Sequence, residues 1–142
     1  MRVALMSPFR RSRILAVFAG LVAATIAVPA GAADAKFPFD HELRLDTAPK
    51  RGSKRIPVLQ IFSNGNMDID LWCVNGKGTA VFADNTIAIV PVSMRDNNCS
   101  PEQLALDEDL LSELTEMTSW KREGEVVVLS GQKTLRFRMS TN

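Results

Sequence analysis

The residues able to do chemistry in this chain are few. Cys73 and Cys99 are its two cysteines and His41 its one histidine. Asp68 and Asp70 stand two apart. In an extended strand that spacing puts both carboxylates on one face, as a glycosidase-type acid pair would require. Exposed acids on an outward face account for the spacing equally well. His41 lies between Asp40 and Glu42, a setting suited to proton transfer, although a lone histidine on a polar strand face is ordinarily solvated. No Ser-His-Asp or Cys-His set can be assembled from these candidates. Gly76-Lys77-Gly78 is too short for a phosphate loop and lacks its Gly-Lys-Ser/Thr ending. The expectation is a protein that is not an enzyme and has no cofactor or metal; the alternative is a hydrolase acting through Asp68 or Asp70.

What the cysteines do depends on the compartment, and the start of the chain addresses that. Arg2, Arg10, Arg11 and Arg13 precede an uncharged apolar run, residues 14–28, followed by Pro29 and Ala30-Gly31-Ala32-Ala33. A positive region, a short apolar region and an A-x-A signal make a secretory signal peptide. The apolar run falls short of the roughly 20 residues a membrane span needs. Residues 1–32 are therefore expected to be cleaved after Ala32, leaving 33–142 as one domain in the bacterial periplasm or outside the cell. With no cysteine near the cleavage site, no lipid anchor and no stable membrane span are expected. In an exported chain a Cys73–Cys99 disulfide is the default. Two free buried thiols remain the alternative. The absence of CxxC spacing and of a second histidine weighs against a redox or zinc site.

Export also changes the charge. Four of the 17 basic residues and none of the 16 acids fall in the leader, so the mature domain carries 13 against 16. That balance gives no reason to expect nucleic acid or an anionic membrane as partner. Lys50, Arg51, Lys54 and Arg55 form a basic loop, either simply solvated or a docking element for a partner protein or envelope component. Trp72 shares strand parity with Asp68 and Asp70; pointing outward it would anchor a partner, and otherwise it packs beneath a helix or neighbouring strand. The acids at 107–109 suit helix-dipole compensation and solubility. Asn98-Cys99-Ser100 fits a glycosylation sequon, discounted because the leader looks bacterial. A monomer is expected.

Phe37, Phe39, Leu43 and Leu45 alternate as a strand over 37–45. Residues 56–62 and 67–73 flank Ser63-Asn64-Gly65-Asn66, predicting a hairpin with a tight type I′ turn. The alternation of Met67, Ile69, Leu71 and Cys73 puts Cys73 on the buried side. Residues 75–78 read as a turn, 79–82 as a short strand and 86–92 as another. Ser100, Pro101 and Gln103 supply an N-cap, a first helical residue and a capping box. Leu106, Leu110, Leu114 and Met117 then form an apolar stripe, with the helix ending near Thr118. Residues 126–129 and 135–139 close the chain as strands. The fold class is α+β: a small antiparallel β-barrel-like or strongly curved sheet of 6–8 strands with one late amphipathic helix.

The order of these pieces resembles the META (HslJ-like) domain family, which includes bacterial heat-shock proteins. The matching segments are Leu59-Gln60-Ile61-Phe62, Asn64-Gly65, Asp70-Leu71-Trp72-Cys73, Gly78, Cys99-Ser100-Pro101, Leu110 to Leu114, Trp120 on a strand, and Leu135-Arg136-Phe137. Departures are also present. The family's adjacent Cys-Asn is interrupted as Cys73-Val74-Asn75, its Gly-x-Tyr is missing from a chain without tyrosine, and its Thr-x-Met-Ala-Cys survives only as Ser93-Met94 and Asn97-Asn98-Cys99. The resemblance implies a small β-rich fold, an envelope or secreted location and a link to stress tolerance. It brings no catalytic residues. The expected function is that of an exported, non-enzymatic META-like protein; the alternative is a small secreted inhibitor or binding protein that docks a periplasmic partner.

Overall fold

Alternating apolar residues dominate the chain from Leu43 onward, and in the computed structural model, which describes residues 36–140, they bend one antiparallel sheet into a closed ring. The leader and its cleavage site lie outside the described residues. Eight strands follow in chain order: β1 (Glu42–Leu45), β2 (Val58–Ile61), β3 (Asn66–Asp70), β4 (Asn75–Ala83), β5 (Thr86–Arg95), β6 (Ser119–Glu123), β7 (Val126–Ser130) and β8 (Thr134–Met139). One helix, α1 (Pro101–Thr115), interrupts them between β5 and β6. Each strand pairs with its sequence neighbour, and β1 pairs with β8 to close the ring. This is the α+β architecture that the patterning predicts.

Strand alternation places Leu43, Leu59, Ile61, Met67, Ile69, Val127, Leu129 and Phe137 inside, all essentially inaccessible. Burying each such side chain stabilises by roughly 1.5–3 kcal/mol. Strand β7 is buried on both faces. Val126 and Val128 stand opposite Glu123 and Lys121 on β6, and opposite Arg138 and Arg136 on β8. The aliphatic stems of such long side chains shield apolar surface while their heads remain in water. Those heads form ion pairs, Lys121–Glu123 at 2.6 Å and Arg136–Glu123 at 3.2 Å.

Several expected boundaries move. Strand β1 begins only at Glu42, because Asp40 takes a positive φ of 65° and breaks the extended run. Phe37 and Phe39 instead join an aromatic cluster with Phe82 and Trp120, with Phe37 at 4.6 Å from Phe82 and 5.1 Å from Trp120 between ring centroids. The β2–β3 connection is no type I′ turn. Of its residues only Gly65 has positive φ, and Gly65 N–H donates to Phe62 O at 2.9 Å, as in a three-residue loop that ends in a left-handed glycine. Residues 75–78 are strand rather than turn. Gly76 and Gly78 face neighbours so closely that a Cβ would lie 2.1 Å from Ser93 O and 2.8 Å from Val90 O respectively. The glycines there permit close strand approach.

Helix α1 has the expected start. The Ser100 hydroxyl accepts from Gln103 N–H, and the Gln103 side chain accepts from Ser100 N–H. It ends at Thr115, three residues early, and β6 follows almost at once. Strand β5 spans ten residues, but its register with β6 contains the single pair Thr86↔Ser119. Two further backbone bonds flank that seam, Ile87 N–H to Thr118 O and Trp120 N–H to Asn85 O. Among the described residues no helix is long and apolar enough to cross a membrane.

Candidate functional site

At the loop joining β3 to β4, Leu71 to Val74, several of the singled-out residues converge. Strand β3 stops at Asp70, so the alternation that would have turned Trp72 outward is lost. Leu71, Trp72 and Cys73 are all buried. Trp72, at 3% exposure, therefore does not share the outer face with Asp68 and Asp70; it packs into the core cluster that includes Leu110 and Leu114 of α1. Three successive N–H groups, of Trp72, Cys73 and Val74, donate to the Asp107 carboxylate at 2.8, 2.9 and 2.6 Å. Trp72 O accepts from the Ser53 hydroxyl at 2.8 Å, and Cys73 O from Asn97 Nδ2 at 2.8 Å and Arg55 Nη1 at 3.3 Å. Cys73 and Cys99 form a disulfide, S–S 2.04 Å.

Asp107 was not expected in this role. The acids at 107–109 read as dipole and solubility charges, yet Asp107 is 2% exposed and lies on the buried side of α1 with Leu110 and Leu114. Its positions relative to those leucines, three and seven residues before, place it on the apolar stripe, and that placement is the signal in the sequence. Glu108 and Asp109 are exposed, as expected.

The basic loop divides. Arg55 binds the Asp70 carboxylate and the Cys73 carbonyl, and so braces the β3–β4 connection. Gly52 O accepts from Gln103 Nε2 at 3.0 Å, tying the loop to the first turn of α1. Arg51 and Lys54 are exposed. Lys50 is exposed too, and it shares with Trp72 the lining of a groove of about 380 Å³ between α1 and the ends of β1 and β8. Leu45, Leu106, Leu110 and Leu135 supply its apolar surface. Charges stand around it: Asp46, Lys50, Asp109, Glu113 and Arg136. Asp46 is held by Arg138 at 3.0 and 3.2 Å, Glu113 by Lys133, and Arg136 by Glu123. The Arg138 bond holds the Asp46 carboxyl below its usual range, and the Glu113 bond raises the Lys133 ammonium. Lys50 and Asp109 have no ion-pair partner among the described residues.

Asp68 and Asp70 do share the outer face of β3, and both line an open depression of about 450 Å³. Each is taken by a cation: Lys77 meets Asp68 at 2.6 Å, and Arg55 meets Asp70. Both carboxylates are partly exposed. Neither is enclosed by apolar side chains, and both remain in contact with solvent. His41 is exposed, its Nδ1 2.8 Å from Phe39 O. Among the described residues no three His, Cys, Asp or Glu side chains are grouped to hold a metal ion.

A closed antiparallel ring with one inserted helix, that helix fastened beside the β3–β4 loop, defines a small β-barrel-like domain of α+β class. The chain belongs to the META domain family, whose signature spans residues 41–142. Among solved structures, one determined by NMR is similar with a TM-score of 0.51 at 14% identity, covering 70% of this chain and 89% of its own. At that identity the likeness speaks for the fold alone. No curated protein matches the chain.

Proposed function

We propose that the mature chain is an exported, non-enzymatic binding module of the bacterial envelope, engaging a protein or other envelope component through the groove beside α1. The observation that carries this reading is the groove itself: leucines from three elements and Trp72 beneath charges, with Lys50 and Asp109 left without an ion-pair partner. Partly exposed apolar surface ringed by polar groups is the usual form of a recognition surface. The leader sequence supports export. The pairing of Asp68 with Lys77 and of Asp70 with Arg55 supports a non-enzymatic role over a hydrolase. A contribution to envelope stress tolerance rests on analogy within the family.

The test uses the mature chain immobilised against envelope extract. A retained component should be lost with Leu106→Arg or Lys50→Glu and kept with Val90→Thr, an exposed β5 residue outside the groove. Equal retention by all three variants refutes the groove. Deletion of the protein followed by growth under heat, antibiotic and envelope stress tests the physiological reading; wild-type growth throughout counts against it.

A further inference from the structure

We infer that Asp107 is a positioning residue for the disulfide: it brings Cys73 to Cys99 in the reduced chain, so that oxidation locks a clamp already assembled. The two cysteines are 26 residues apart and sit on different segments, the β3–β4 loop and the approach to α1. Cys99 is fixed relative to α1 by its surroundings. Its N–H donates to Asp96 Oδ1 at 2.9 Å, and the next residue, Ser100, caps the helix. Cys73 is fixed relative to the same helix by Asp107, whose carboxylate takes the N–H groups of Cys73 and of both its neighbours. A second tie, Asn97 Nδ2 to Cys73 O at 2.8 Å, joins the two cysteine segments directly. None of these bonds needs the sulfur–sulfur bond. A carboxylate receiving three N–H donors is a strong, directional anchor, and a buried one releases its partners only at a large cost.

Oxidation by a small disulfide such as oxidised glutathione then runs in two exchanges. One cysteine thiolate attacks the glutathione disulfide, forming a mixed disulfide and expelling one glutathione thiolate. The other cysteine attacks the mixed disulfide, forming Cys73–Cys99 and expelling the second. Two electrons pass from the protein thiols to glutathione. The second exchange depends on how often the two sulfurs meet, and that is the quantity Asp107 controls.

The experiment measures the effective concentration of the two thiols in glutathione redox buffer, with near-UV circular dichroism reporting whether the reduced protein is folded. Asp107→Asn should lower it about tenfold or more, as expected for losing a charge-assisted contact of this kind. Val127→Ala, a core change on a strand with no bond to the clamp, serves as control for general destabilisation and should leave the value within about twofold. An unchanged value in Asp107→Asn, or an equal fall in Val127→Ala, overturns the inference. If reduced Asp107→Asn does not fold, Asn97→Ala decides: a several-fold fall supports a preassembled clamp, and no change refutes it.

Discussion

Asp107 shows a charge held by the backbone rather than by an opposite charge. It forms no ion pair among the described residues, and three N–H groups hold it instead. Replacing it by alanine strands those donors, two of them on buried residues, and should lower stability by about 3 kcal/mol or more, read as a fall in the urea midpoint without a change in slope. The pattern of leucines contained this residue, since Asp107 lies on their stripe; an acid near a helix start is explained so readily by the dipole that burial is overlooked. The acids Asp46 and Glu123, by contrast, are exposed, and their ion pairs contribute little. The bonds from Arg138 to Asp46, and from Lys121 and Arg136 to Glu123, hold both carboxyls below their usual range. Their stabilising contribution is complete above the unfolded value near pH 4 and is lost as pH falls through the lower folded values. Acid titration of thermal stability should therefore show a small loss below about pH 4, reduced in Asp46→Asn and at high salt.

At the scale of elements, the helix is legible because its signals are local: cap, first-turn proline, capping box and stripe all lie within neighbouring residues. The β4 start is less so. Asn75-Gly76-Lys77-Gly78 has turn composition, yet its glycines serve the close approach of β5, a requirement set by residues near position 93. Gly76→Ala should be strongly destabilising, because the clash is with a backbone oxygen that cannot rotate away; a loss of about 1–3 kcal/mol is the usual scale for forced overpacking. Trp72 eluded its parity because strand β3 ends before it, and only the helix behind the loop explains why the chain turns inward there. Reduction of Cys73–Cys99 should lower stability by up to about 3.5 kcal/mol in the chain-entropy account of a loop this long. With Asp107 in place the reduced protein should remain folded, and native-like circular dichroism in dithiothreitol checks this.

For the whole molecule, period-two patterning marked most strands, and the order of the pieces pointed to the family. What it did not contain was the groove. Leu45, Trp72, Leu106 and Leu135 are far apart in sequence and meet only after the ring closes and α1 docks, so no local pattern could have assembled them. The ring has one further consequence. Strand β5 is paired along its length on one side and at one position on the other, so the closure depends on a few bonds. Amide protons there are the ones water should reach first. In hydrogen exchange, protection at Ile87 and Trp120 should be lost by a small local opening, while Leu59, Ile69 and Val127 exchange only when the whole molecule unfolds. The barrel would thus open like a cuff at its fastening, with the remainder of its circumference still intact.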